Sequence, residues 1–118
     1  MHLIGADLTV ITPGRVEAEL PLAEKHLQQR GFAHGGLIAT LADLVAGFAA
    51  VTLVPDNYGV VTSDLKISYL NPGVGQQLKA IGWVLKPGRR LHCCEAEVWC
   101  DDVLIAKASA TMAVLEPQ

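Results

Sequence analysis

The chain has 118 residues, 51% of them hydrophobic and 18% charged, with a net charge of −3, a mean hydropathy of +0.34 and an isoelectric point near 5.7. That length suits a single domain, Met1–Gln118, with room for a real core but not for two. The acidic balance excludes a general field for nucleic acid or an anionic membrane, and the high apolar share calls for a second copy to cover surplus surface.

The opening MHLIGADLTV has no cationic stretch followed by a long apolar one, so no secretory signal is read and the expected location is the cytoplasm. Leu8 to Ile11 and Arg15 to Leu20 read as two strands around Thr12-Pro13-Gly14, an opening hairpin. Ala23 to Arg30 suits a short helix or turn that Gly31 ends. Gly36 to Val54 then predicts the main helix, closed by Pro55 and Asp56-Asn57. It is apolar on all sides and carries one acid, Asp43. Asp43, Gly47 and the missing basic flanks argue that protein rather than lipid buries it, so no membrane span is expected.

Beyond Tyr58 the pattern switches to period two. Ser63, Leu65, Ile67 and Tyr69 share one face, opposite Thr62, Asp64, Lys66 and Ser68, up to Asn71-Pro72-Gly73. Further strands run from Gln77 to Leu85, Leu91 to Cys100 and Val103 to Leu115, separated by Lys86-Pro87-Gly88 and Asp101-Asp102. Four consecutive strands predict an antiparallel meander wrapped around the helix, an α+β layout. Ala106, Ala108 and Ala110 on one face of the last strand would let the helix approach closely. Cys93, Cys94 and Cys100 are odd in number and lack paired CxxC spacing, which argues against disulfides or a zinc site and for small buried strand residues. Trp83, Trp99 and Phe48 read as core or interface.

A carboxylate in an apolar helix is costly to desolvate and asks for a function. Gly35 and Gly36 at the helix start leave backbone N–H groups unobstructed at the positive end of the dipole, suited to an oxyanion or a carbonyl. Asp43 follows Gly35 by eight residues, roughly 12 Å along a helix, too far for one small carbonyl to touch both. If the two cooperate, the acid comes from a second copy.

The segment Gln28-Gln29-Arg30-Gly31-Phe32-Ala33-His34-Gly35-Gly36, with Asp43 nine residues after the histidine, resembles the signature of the hotdog-fold thioesterases, in particular the PaaI-like, phenylacetyl-CoA type. The resemblance continues through VTSDLKISYLNPG, WVLKPGRRL and the Ala-rich last strand. It implies a hotdog fold, an antiparallel sheet around one long central helix, with subunits joining their sheets in a dimer or a dimer of dimers. It also implies hydrolysis of acyl-CoA thioesters, aryl or short to medium chain, to free acid and CoA. By the same resemblance the Gly35 N–H, with Gly36 beside it, polarises the thioester carbonyl. Asp43 of the other subunit acts as general base or nucleophile, and Gln28, where Asn is common in the family, orients water or assists the carbonyl. His34, a further catalytic candidate beside the glycines, either holds the loop through a ring-to-backbone hydrogen bond or transfers protons.

Some relatives carry a hydroxyl one turn after the acid, where this chain has Gly47, which leaves Thr62 and Ser63 as site-lining candidates. CoA phosphates would be met by Lys86, Arg89 and Arg90, the densest basic cluster. No metal and no cofactor beyond the CoA of the substrate is expected. A thioester needs no Ser-His-Asp triad, and the chain has no Gly-x-Ser-x-Gly elbow. The rivals are a hotdog dehydratase or hydratase, whose His-Phe-Pro-Gly type of loop is replaced here by His34-Gly35-Gly36, and a non-catalytic acyl-CoA-binding protein.

Overall fold

The computed structural model describes residues 5–28 and 30–118; residues 1–4 of the opening segment and Gln29 of the signature segment lie outside the described residues. Strands β1 (Asp7–Thr12) and β2 (Arg15–Pro21) form the expected hairpin. A short 3-10 turn (Glu24–His26) precedes helix α1 (Gly35–Val51), and β3 (Gly59–Tyr69), β4 (Gln77–Pro87), β5 (Leu91–Cys100) and β6 (Val103–Leu115) follow. The helix begins one residue earlier than expected and ends at Val51, three residues short of Val54. No helix of the described residues is long and apolar enough to cross a membrane.

All six strands form one sheet in the order β1-β2-β4-β5-β6-β3, each neighbour antiparallel. The four-strand meander therefore needs correction. β4, β5 and β6 form one, but β3 pairs with β6 and leaves β4 to pair with β2. The connection explains it: residues 70–76 are too long for a tight hairpin and instead cross the end of the sheet. Leu70 N–H donates to Ile105 O (2.8 Å), Ala33 N–H to Gly73 O (2.9 Å) and Leu22 N–H to Gln76 O (2.8 Å), so the crossing is tied down along its length.

Helix α1 lies across the inner face of the sheet and buries Ile38, Leu41, Ala42, Val45, Ala46, Ala49 and Ala50, the spacing of one helical face. It is not buried on all sides. Asp43, Leu44 and Gly47 are half-buried, and Phe48 and Val51 are each 40% exposed, so an apolar stripe bearing the acid faces outward in the single chain. The alanines of β6 are buried as expected. The tightest helix approach is nonetheless on β4, where a Cβ on Gly82 would fall 2.5 Å from the Val45 carbonyl oxygen. The tryptophans are not core. Trp83 and Trp99 are half-buried among residues that alternate with the buried positions of β4 and β5, and so lie on the outer face. There Lys107 Nζ sits 4.4 Å over the Trp83 ring and Trp99 Nε1–H donates to Glu97 (3.3 Å). Cys94 and Cys100 are buried, whereas Cys93 is exposed because its strand position points outward.

Gly82→Ala forces a methyl into the α1 backbone, so it should lower stability by about 1–3 kcal/mol, the usual cost of overpacking; an unchanged urea midpoint would show that helix and sheet separate freely. Burial, reinforced by the neighbouring Cys93, pushes the Cys94 thiol up to about 11, and burial raises Cys100 as well. Under native conditions one thiol, Cys93, should therefore react promptly with a disulfide reagent, the other two only on unfolding. Three fast thiols would contradict the burial of Cys94 and Cys100.

Candidate active site

His34 is the N-cap of α1, with extended backbone (φ −62°, ψ 136°) and no capping hydrogen bond from its side chain. Its carbonyl accepts the Ile38 N–H (3.1 Å), and the first turn contains no acid, so no acidic side chain there offsets the positive end of the helix. Gly35 and Gly36 are exposed there. Tyr69 O–H donates to the Gly35 carbonyl (2.9 Å), which fixes this peptide against the end of β3.

The loop before the helix is held by its backbone. Gln28 N–H donates to Phe32 O (2.7 Å), Gly31 N–H returns to Gln28 O (2.9 Å), and Gly31 adopts φ +80°, a conformation glycine takes without a steric penalty. Leu27 pairs with Ala33, and His34 N–H donates to His26 O (3.1 Å). As a result Gln28 and Gly35 line the same open cleft, about 300 Å³, with Ile38, Tyr69 and Gly73. The ring-to-backbone bond expected of His34 is instead made by His26, which is buried and whose Nδ1 accepts the Ala23 N–H (2.8 Å). Sequence reasoning passed over His26, since a histidine between Lys25 and Leu27 in a polar stretch carries no local sign of burial.

Asp43 Oδ1 accepts a hydrogen bond from Thr62 Oγ1 at 2.6 Å, a short bond to a carboxylate. Thr62 Oγ1 also lies 3.5 Å from Met112 Sδ, its cross-strand partner. Thr62 reaches the helix because the β3–β6 ladder slips between Thr62 and Asp64, making Ser63 a bulge residue. Strict alternation had put Thr62 opposite Leu65, Ile67 and Tyr69. The extra residue resets the parity, so Thr62 meets Asp43, Leu65 and Ile67 pack on the core, and Tyr69 meets Gly35. Ser63 is exposed. Gly47 makes its closest outside approach to the end of the Met112 side chain, and the hydroxyl bonded to Asp43 comes from β3 rather than from the helix.

Within one chain Asp43 does not join Gly35 and Gln28. It lies two turns along the helix, about 12 Å from Gly35, and is not part of the cleft wall. Arg89 and Arg90 line a separate cavity of about 390 Å³ at the opposite end of α1, with Leu53, Val54, Tyr58 and His92. Lys86, exposed near the end of β4, is not part of that wall.

Residues 30–107 match the model of the thioesterase superfamily. Human acyl-coenzyme A thioesterase 13 is 34% identical over 71% of this chain, which spans 60% of that protein's length; a Caenorhabditis elegans relative is 34% identical over 92% of this chain, which spans 65% of its length. The crystal structure of a thioesterase family protein from Silicibacter pomeroyi superposes with a TM-score of 0.94 at 34% identity, covering 98% of this chain and 88% of that one. A Bacillus halodurans protein solved with CoA superposes at 0.81 and 31% identity, covering 84% and 66%. With its helix wrapped in an antiparallel sheet and more than half its length matched, this chain belongs to the thioesterase superfamily and has the hotdog fold.

Proposed function

We propose that the chain hydrolyses acyl-CoA thioesters, aryl or short to medium chain, to a free acid and CoA at a site shared by two copies. The observation that carries this reading is the Asp43–Thr62 pair on the open stripe of α1, too far along the helix to serve the Gly35 end of its own chain. Gly35 N–H, with Gly36 N–H beside it, polarises the thioester carbonyl and stabilises the oxyanion. The partner subunit's Asp43 either takes a proton from water, which adds to that carbonyl, or attacks it directly to give an anhydride that water opens. The C–S bond breaks in both routes, and the departing thiolate takes up a proton to leave CoA-SH. Gln28, in the Gly35 cleft, orients the water or assists the carbonyl, and His34 holds the loop by its backbone rather than moving protons. Thr62 orients the carboxylate, while Ser63 contributes at most from the rim.

Two features support a dimer. β3 pairs with β6 on one side only, which leaves eleven residues of free strand edge with Val61 half exposed, a ready template for another copy. The outward stripe of α1 beside it is apolar at Leu44, Phe48 and Val51 and needs cover. At the other end of the helix, Arg89 and Arg90 meet the CoA phosphates, with Lys86 adding positive charge nearby.

Asp43→Asn should lower kcat for acyl-CoA by about 100-fold to 10,000-fold while CoA binding is retained, and Thr62→Val should lower it by roughly tenfold. Thiol release from a panel of acyl-CoAs measures both and reports acyl preference. Full activity in Asp43→Asn would remove the proposed base, and binding without turnover in the wild type would leave an acyl-CoA-binding protein.

The shared site has its own test. Gly35 is the first helical residue, where proline is tolerated, so Gly35→Pro deletes one N–H at small cost to the helix. Gly35→Pro and Asp43→Asn should each be inactive alone. Mixed and re-equilibrated, they should recover about one quarter of wild-type activity, because half the dimers are hybrids with one intact site of two. No recovery would place both groups in one subunit.

A further inference from the structure

Tyr69 is the last residue of β3 and reaches back to the start of the helix. Its O–H donates to the Gly35 carbonyl (2.9 Å), and its ring lies against the same residue, since a Cβ on Gly35 would fall 3.6 Å from Cε1, Cζ and Oη. Among the described residues it is the one side chain from outside α1 that bonds to the first turn. His34 gives no side-chain cap, and the bond from Thr40 Oγ1 to the Gly36 carbonyl (2.8 Å) comes from the helix itself. Such back-bonding to residue i−4 is a local by-product of helix geometry. The Tyr69 bond spans 34 residues and exists because the sheet delivers the end of β3 to this turn.

Which N–H the bond serves follows from the covalent chain. A trans peptide points its carbonyl and its N–H in opposite directions, so the Gly35 carbonyl and the Gly36 N–H are two ends of one unit. A hydrogen bond at one end fixes the other and strengthens its bonding by about 10–30%. The Gly35 N–H belongs to the preceding peptide, whose carbonyl, on His34, is held by the Ile38 N–H (3.1 Å). The two glycyl donors thus have separate supports, the helix for the first and β3 for the second.

As the second residue of the helix, Gly36 has no intrahelical acceptor for its N–H. It is exposed, and a Cβ there would meet nothing within 4 Å. Alanine would stabilise a helix more than glycine does, so the bare backbone keeps access to this peptide rather than easing the packing. The Tyr69 bond is itself a weak staple: the side chain is 52% exposed and Gly35 is exposed, so water would replace either partner at little cost to the fold. Its place is what distinguishes it, because Tyr69 and Gly35 share a wall of the 300 Å³ cleft with Gln28.

We propose that Tyr69 is a positioning residue for the thioester carbonyl: it orients and polarises the Gly35–Gly36 peptide, so that the Gly36 N–H is a full second donor to the charge that develops on the carbonyl oxygen. The role rests on the thioesterase reading; the Tyr69–Gly35 bond and the open Gly36 N–H do not. A donor aimed at that oxygen acts on kcat more than on substrate binding, because the charge is absent from the bound ester.

The test compares Tyr69→Phe, which keeps the ring and removes the hydroxyl, with the wild type and with Thr62→Val. On the acyl-CoA that the wild type turns over fastest, Tyr69→Phe should lower kcat about fivefold to tenfold with KM and Tm almost unchanged. The second readout is the carbonyl itself. Ketone analogues of phenylacetyl-CoA and hexanoyl-CoA, with methylene in place of sulfur and a labelled carbonyl carbon, are bound and followed by NMR. Hydrogen bonding should move that resonance downfield in the wild type. Tyr69→Phe should return it part of the way towards its free position, whereas Thr62→Val, which acts through Asp43, should leave it in place. A kcat within about twofold of the wild type, or a loss carried mainly by KM, overturns the proposal. So does a loss of kcat or Tm with the resonance unmoved, or an equal return in Thr62→Val.

If the wild type hydrolyses no ester, the hydrolase reading fails separately and the analogues decide alone. A downfield resonance that Tyr69→Phe partly reverses upholds the positioning role. No binding by the wild type, or a resonance that Tyr69→Phe does not move, overturns it.

Discussion

The closeness of α1 to the sheet is the constraint from which the rest of the molecule follows. At Gly82 the strand has no side chain, and the Val45 backbone fills the place a Cβ would occupy. The facing surfaces are small on both sides, with Ala42, Ala46, Ala49 and Ala50 on the helix and Ala80, Ala96, Ala108 and Ala110 on the strands. Packing this tight holds the helix in one rotation, because turning it would drive a larger side chain into the sheet. With the Val45 backbone against β4, residues two positions from it lie on nearly the opposite side, at about 100° per residue. That is where Asp43 and Gly47 sit, beside the edge strand rather than under the sheet.

The acid is therefore held by the helix and met by β3. A regular strand could send Thr62 or Leu65 to the helix side, but not both, since they differ by an odd number of residues. The bulge at Ser63 permits both and lets one strand bond the acid midway and the Gly35 peptide at its end. Bulges at sheet edges commonly re-aim a side chain in this manner. Here the re-aimed group is the hydroxyl bonded to Asp43.

The helix also separates two kinds of chemistry. Its N-terminal end offers open backbone N–H groups beside Gln28; its C-terminal end looks into a cavity with two arginines and a buried histidine. Asp43 lies between them on the uncovered stripe. The outer face of the sheet is instead laced with its own ion pairs, Glu17 with Arg15 and Lys79, and Lys107 with Glu95 and Glu97.

The sequence by itself was enough for the opening hairpin, the helix with its solitary acid, the limits of β5 and β6, the glycyl entry to the helix and the inference that Gly35 and Asp43 cannot serve one carbonyl within a single chain. These are local matters: side-chain period, turn residues and the rise of a helix are properties of neighbours along the chain. Strand order, the Ser63 bulge, the outward turn of Trp83, Trp99 and Cys93, and the burial of His26 were decided by the tertiary structure alone. Each depends on which other segment lies alongside, and nothing in the sequence around Thr62 records that Asp43 will be its neighbour.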